Sequence, residues 1–453
     1  MILRQAMVWD DLERELPPAL KQVRAFLEAL SVEDLIRDLE VDRGNGRDDY
    51  PVRAMLSLFL VQPYLRHGKF SQLLGELKRN GDLARLLGFK EVGPNRYLIP
   101  PPSVLSRFHG KLKEKRYLDR FELLLKTTVQ LLKVEDPELG RHGALDTSDI
   151  RTHGSPARKG KEGEKERPST DSEASWSVKT KRWEDGQGGI REETKSTFGY
   201  KAVLCVDVEL PVVLAANTVT GSASDSELAL PMLDAVGENL GRGQMEDCSM
   251  DKGFDSEENV KGAFSRGISA IVPVRDVPKD LKELPPQDRE VVVKGNIVRD
   301  RYSGEVACYA FMEDGKPIRR EMAYAGFEKD RECHKFRCPL GAGAAGGCPG
   351  FSRCSAGSCG KQGRQVRIPM ESDPRRLAPV YPRSHRWRRL YKGRTAVERI
   401  NSYVKEVLRL EDHCIRGKAA IRLRVLLAAI TLNTRTLLVL RAAKQEKGLA
   451  SAA

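Results

Sequence analysis

The segment from Tyr391 to Lys405 constrains this chain more than any other. Wound as a helix at about 100° per residue, it brings Tyr391, Arg394, Glu398 and Lys405 within an arc of roughly 60°. Val397, Ile400, Val404, Val407 and Leu408 gather roughly opposite, at the period of an amphipathic helix. One face can therefore dock on a core. The other presents an aromatic ring, two cations and one carboxylate. A carboxylate flanked by cations suits a site that handles phosphate, because the cations hold phosphate oxygens while the acid helps bind a divalent ion. For the segment alone, the plain alternative is a docked helix with a solvated charged face.

At 453 residues the chain exceeds one comfortable core and is expected to form two or three domains. Residues 1–138 read as helical, with apolar positions at three- and four-residue spacing in Val52–Leu60, Gln72–Leu77 and Leu83–Leu87. Pro100, Pro101 and Pro102 break the run, and Ser103 is the expected N-cap of a helix over Val104–Leu112. That helix and its C-terminal flank carry Ser106, Arg107, His109, Lys111, Lys113 and Lys115, a basic set that could enter a DNA groove or form an ordinary surface.

From Gly143 the pattern turns to strands at Ala144–Ile150, Tyr200–Val208 and Val212–Val219. A helix over Ser224–Leu240, a strand over Met245–Asp251, a helix over Ser256–Phe264 and a strand over Ile268–Val274 follow. Thr152–Thr197 is rich in Lys, Glu, Gly and Ser and reads as a flexible loop. The 147 positions from Asp251 to Glu398 exceed what one strand and one helix need. Residues 276–385 are thus an insertion, partly β and rich in cysteine. Ala419–Arg441 is an apolar helix expected to pack on the Glu398 helix.

The Tyr-x2-Arg-x3-Glu-x6-Lys spacing resembles the Y-R-E-K motif of DDE transposases from bacterial insertion sequences. Leu145-Asp146-Thr147-Ser148-Asp149 and Ser249-Met250-Asp251-Lys252-Gly253-Phe254-Asp255 resemble that family's first and second acidic motifs, in order. Gly199-Tyr200-Lys201 is a further family-like element, and the resemblance runs from about Tyr50 to about Arg441. It implies an α/β architecture with an RNase H-like mixed sheet and flanking helices, interrupted by an insertion and preceded by a helical N-terminal domain. The implied division is a DNA-binding domain over 1–138, a catalytic core over 139–275 and 386–445, and the insertion over 276–385.

The family's chemistry is metal-dependent cleavage at element ends followed by strand transfer into target DNA. Two magnesium or manganese ions activate the nucleophile and stabilise the leaving oxygen. Carried onto this chain, the catalytic and metal-holding set is Asp146, Asp251 and Glu398, with Tyr391, Arg394 and Lys405 on DNA. Asp149 competes with Asp146 but lies on the opposite face of a strand, and Asp255 competes with Asp251. Lys201 is open between DNA contact and solvation, and His142 reads as structural. A transposase-derived DNA-binding protein that no longer cuts, and an RNase H-like nuclease without strand transfer, are the alternatives.

Of the nine cysteines, five form Cys333-His334-x3-Cys338-x9-Cys348-x5-Cys354-x4-Cys359, a candidate structural zinc site whose spacing lacks the C-x2-C of strong zinc motifs. Cys205, Cys248 and Cys414 read as core residues. A formal charge of +13, from 77 basic against 64 acidic residues, favours a polyanionic partner. The arginine-rich run of Arg367, Arg375, Arg376, Arg383, Arg386 and Arg388 is expected to follow DNA phosphates. Met1–Pro18 has no apolar signal region, and the longest apolar stretch, Val425–Leu432, is too short to cross a bilayer. The expectation is a cytoplasmic, nucleoid-associated protein that acts as a homodimer on double-stranded DNA, at terminal inverted repeats and target sites.

Overall fold

The computed structural model of the chain describes residues 16–46, 48–158, 167–184, 189–275, 283–311, 314–338 and 364–452. Helices α1 (Pro18–Glu28), α2 (Glu33–Arg43), α3 (Val52–Tyr64), α4 (Phe70–Arg79) and α5 (Gly81–Leu86) come first. A small hairpin, β1 (Glu91–Gly93) with β2 (Arg96–Tyr97), then leads to α6 (Pro102–Leu112) and the long α7 (Lys115–Glu135). In α3 nearly every residue from Val52 to Pro63 is buried, because a helix apolar on all sides belongs inside. Pro101, with an extended backbone, is the N-cap of α6, so the helix starts before the expected Ser103. Pro102 fits its first position, where no backbone N–H is needed.

The central sheet contains β3 (His142–Arg151), β4 (Ser175–Glu184), β5 (Ile190–Asp207), β6 (Val213–Thr220), β7 (Asp247–Met250) and β8 (Ser269–Ile271). Its order is β4-β5-β3-β7-β8, with β6 also pairing to β5. β3 runs antiparallel to β5 and parallel to β7, and β7 runs parallel to β8. Between β6 and β7 lie a 3₁₀ turn (Asp225–Leu228) and α8 (Ala229–Leu240), and α9 (Glu257–Ser265) joins β7 to β8. This mixed sheet with flanking helices is the RNase H-like arrangement. Of the stretch expected to be a flexible loop, 152–197, the described part holds β4 and the first half of β5. Regular backbone pairing between Ser175–Glu184 and Ile190–Gly199 outweighs its polar composition.

The insertion begins with the short α10 (Pro286–Arg289) and forms two small antiparallel sheets. One runs β9 (Glu290–Lys294), β10 (Ile297–Asp300), β11 (Val306–Phe311) and β12 (Pro317–Glu321). The other is β13 (Ala323–Glu328), β14 (Cys333–Arg337) and β15 (Gln365–Pro369). Phe336, Ile368, Leu377 and Tyr381 anchor a core of its own. The chain returns to the central sheet through α11 (His385–Tyr391), a 3₁₀ turn (Lys392–Arg394), α12 (Thr395–Ser402), a π turn (Tyr403–Val407) and α13 (Lys418–Ala452).

The sheet is covered on both faces. Ala144, Ile150, Tyr200 and Leu204 join one apolar cluster with Phe26, Phe59, Leu118, Val397, Ile400 and Ile430, so N-terminal helices, α12 and α13 all meet there. Leu145, Val203 and Cys248 pack on the other side with Met232, Val236 and Val260. α13 packs chiefly on α7 and β6, with a smaller contact to the π turn, and not chiefly on α12 as expected. It is long and apolar enough to cross a membrane, yet 72% of its apolar stretch is buried inside the protein, which makes it a core helix.

One polar residue holds α13 to the sheet. Asn433 is fully buried, donates to the Val213 carbonyl at 2.9 Å and accepts from the Val213 N–H at 2.8 Å. Its amide also reaches Thr128 Oγ1 at 3.3 Å. Asn433→Leu would strand two buried backbone groups and is expected to lower stability by about 2–4 kcal/mol, read from urea unfolding midpoints. A change under about 0.5 kcal/mol would show that the bond carries nothing.

Candidate active site

The parallel pairing of β3 with β7 does most of the positioning. Their register sets Leu145 opposite Met250, so the next residues, Asp146 in the middle of β3 and Asp251 just past the end of β7, lie side by side. Adjacent strands lie about 4.8 Å apart. β7 is buried along its length and stops where Asp251 caps the 3₁₀ turn Lys252–Phe254, its Oδ1 accepting the Lys252 N–H at 2.7 Å. On β3, Asp146 faces α12, whose Asn401 donates to Asp146 Oδ2 at 3.4 Å. Asp255, by contrast, is buried and tied to Arg375 Nε at 3.0 Å and to the Arg275 N–H at 2.6 Å, so it supports the loop structurally.

Burial pushes the Asp146 carboxyl up to about 6, and the nearby Asp251 charge adds to it, while Arg394 and the Thr147 N–H oppose. Arg394 Nη2 meets Glu398 Oε1 at 2.8 Å, and its guanidinium feels Glu398, Asp251 and Asp146 together. One arginine thus sits among all three acids. The same guanidinium lies 5.8 Å from the Tyr391 ring, which stacks on Trp387 at 4.8 Å. Ser249 Oγ donates to the Leu390 carbonyl at 2.9 Å and pins α11 to β7.

The spacing assumed one straight α-helix from Tyr391 to Lys405, and the backbone departs from that. A 3₁₀ turn precedes Thr395 and a π turn carries Lys405, a device that recurs at functional sites. Lys405 Nζ donates to the Asp149 carbonyl at 2.6 Å and pairs with Glu411 at 2.8 Å. Asp149 lies on the other face of β3 and is held by Ser177 and Lys179 at 2.8 and 2.9 Å. Burial raises its pKa, but the hydrogen bond and charge of Lys179 outweigh that and hold it low.

Gly199-Tyr200-Lys201 is structural in all three positions. A β-carbon at Gly199 would lie 2.1 Å from the Ile150 carbonyl oxygen, so only glycine permits the close approach. Tyr200 is buried and donates to Asp171 at 2.7 Å. Lys201 is neither solvated nor free for DNA: it is buried and paired with Asp225 at 2.8 Å, which also accepts from Thr147 Oγ1 at 3.2 Å. Trp387, Asn401 and Asp225 carry no motif of their own. Only the helical spacing of Trp387 to Tyr391, and of Asn401 to Glu398, could have marked the first two.

The arginine-rich run divides in two. Arg367, Arg376 and Arg383 pair with Glu328, Asp373 and Glu305 and serve the insertion's own structure, while Arg375 pairs with Asp255 and ties the insertion to the core. Arg386, Arg388, Arg389 and Lys392, on and after α11, have no carboxylate partner among the described residues. The basic α6 is similarly part-neutralised. Lys111 pairs with Asp42 at 2.7 Å, Lys115 with Asp119 at 3.1 Å, and burial drives His109 down to about 4 against the Phe59 ring.

Two metal questions follow. The donor chemistry of Asp146 and Asp251 fits a hard divalent ion, since two carboxylates share a small, partly desolvated space. Glu398 fits as a third once it leaves Arg394. Among the described residues, the one group of three whose ligand atoms all lie within 4.8 Å is instead His142, Glu246 and Asp247. It lies at the far end of β3, about 13 Å from Asp146 along an extended strand. Its donors are mutually satisfied: His142 holds Asp247 at 2.8 Å and Arg141 holds Glu246 at 2.8 Å, so the site needs no ion. His142 is structural, as expected.

The zinc expectation loses ground where it can be followed. Cys333 opens β14 and Cys338 directly follows its last residue, Arg337, about 17 Å away along extended backbone and too far to share one ion. His334 is buried between Tyr324 and the Leu377 carbonyl. Cys348, Cys354 and Cys359 lie outside the described residues. Cys205 and Cys248 are core residues, but Cys414 is exposed, in the irregular segment after the π turn.

No protein of curated function matches the chain. Residues 137–434, about two-thirds of the chain, match the family model described as the transposase DDE domain. DDE transposases act on DNA and use divalent metal ions. With that match over residues 137–434, and two acids side by side on neighbouring strands with a third carboxylate linked to them through one arginine, this chain belongs to the DDE transposase family.

Proposed function

We propose that the chain is the transposase of a bacterial insertion sequence, of the Y-R-E-K branch. It cuts at the element's terminal inverted repeats and joins the freed 3′-OH to target DNA. Asp146, Asp251 and Glu398 hold the magnesium or manganese ions. Those ions, when bound, activate the oxygen nucleophile and stabilise the departing oxygen. The observation that carries this reading is the side-by-side placement of Asp146 and Asp251, with Arg394 between them and Glu398.

The chain's own groups have defined tasks. Asn401 orients Asp146, and Asp225 with Lys201 and Thr147 ties β3, which carries Asp146, to β5. Arg394 occupies Glu398 and, released from it, offers its fork to a backbone phosphate. Tyr391, stacked on Trp387, presents an edge to the DNA end, and Lys405 adds a positive charge nearby. Residues 1–138 serve as the DNA-binding domain, and the unpaired cations of α11 extend its reach. Cutting two ends in concert calls for a homodimer bridged by DNA.

Purified protein with labelled inverted-repeat ends and magnesium should nick the ends and transfer them. Asp251→Asn should bind the same ends as tightly while cutting at least about a hundredfold more slowly. Equal cutting by the variant, or no cutting by folded wild type, defeats the proposal. A second test needs no activity. The raised Asp146 carboxyl imposes a cost that is absent below pH 3.8, grows between 3.8 and about 6, and is full above that. Asp146→Asn should therefore gain stability of the order of 2 kcal/mol at neutral pH, fading towards about pH 4. Manganese should raise the melting temperature of wild type and leave that of Asp146→Asn unmoved. A destabilised variant, or one that manganese stabilises as it does wild type, contradicts the assignment.

A further inference from the structure

β4 pairs with Ile190–Gly199, the half of β5 that precedes the central sheet, to form a two-stranded ribbon. Alternation puts Ser177, Lys179 and Trp183 on one face, opposite Thr197, Lys195 and Arg191. That face meets β3 at Asp149, close to the candidate active site. Ser177 and Lys179 both reach Asp149, three residues after Asp146, and the Lys179 charge is felt at Asp146 itself. Lys405 meets the Asp149 backbone from the catalytic side.

Two features of this face are unfavourable to the free protein. Lys179 stands directly opposite Lys195, and like charges so placed in an antiparallel pair, with β-carbons about 5 Å apart, repel. Lys179 is half-compensated by Asp149 at 2.9 Å. Lys195 is exposed and has no carboxylate within ion-pair distance among the described residues. Trp183 lies on the same face with 41% of its surface exposed. Two ammonium groups, with an indole further along the same face, match a nucleic-acid backbone, whose phosphate would sit between the lysines and remove their repulsion.

We propose that the β4–β5 ribbon is a DNA-backbone clamp, in which Lys195, with Lys179 across the ribbon, binds a phosphate next to the strand being cut. This rests on DNA being the substrate of the acidic site. The clamp is a binding element and takes no part in the bond-breaking step.

The test uses the full chain with a fluorescent duplex oligonucleotide of mixed sequence, without divalent ions so that nothing is cut. Lys195→Ala should weaken binding by about threefold or more and lower the slope of log affinity against log salt by about 0.9, the value of one phosphate contact. Its unfolding midpoint should hold or rise, because a repulsive pair is gone. Lys195→Arg, which keeps the charge, should restore affinity and slope. Wild-type affinity and slope in Lys195→Ala would overturn the proposal, as would failure of arginine to restore them. If labelled inverted-repeat ends are bound but never cut when magnesium is added, the cleavage reading falls while the clamp stands. If cutting proceeds and Lys195 changes nothing in binding, the clamp alone falls.

Discussion

The parallel register between β3 and β7 is the constraint on which the site depends. Leu145 and Met250 pair, so the chain sets Asp146 in the middle of β3 beside Asp251 at the end of β7. Nothing in either local sequence does this alone. The crossover through α8 and the burial of Asp247–Met250 lock β7 beside β3, and a slip of one residue would turn either aspartate to the opposite face of the sheet. Partly desolvated and beside the Asp251 charge, the Asp146 carboxyl resists ionising, which is the electrostatic condition that favours a bound cation.

A single guanidinium balances that charge in the free protein. Arg394 lies among Asp146, Asp251 and Glu398 and bonds the last of them. The irregular backbone around it has a consequence. Short helices broken by a 3₁₀ turn and a π turn place Tyr391, Arg394 and Glu398 in one stack while sending Lys405 towards β3. A continuous α-helix would have set all four in a line facing outwards. The observed arrangement instead brings Lys405 and the β4–β5 ribbon to the same strand, around Asp149.

Much of this was legible in the residues. Period-two runs located β3, β5 and β6, and the three acids were marked by local motifs around Asp146, Asp251 and Glu398. What was not legible depended on pairing at a distance. Thr152–Thr197 is polar enough to look unstructured, yet half of β5 lies within it because backbone pairing does not need apolar side chains. Lys201 looked like a surface cation and is buried on Asp225, a partner 24 residues away. The arginines before α11 formed one basic run in sequence, but Glu328, Asp255, Asp373 and Glu305 claim four of them. Cys333 and Cys338 looked like clustered ligands until an extended strand separated them.

The account turns on where a divalent ion binds. Ferrous iron with ascorbate, replacing magnesium, cuts the polypeptide close to the ion it occupies, and the fragments can be mapped by mass spectrometry. Cuts beside Asp146, Asp251 and Glu398 that fade under excess magnesium are the predicted result. Cuts beside His142, Glu246 and Asp247, with none near the three acids, would contradict it.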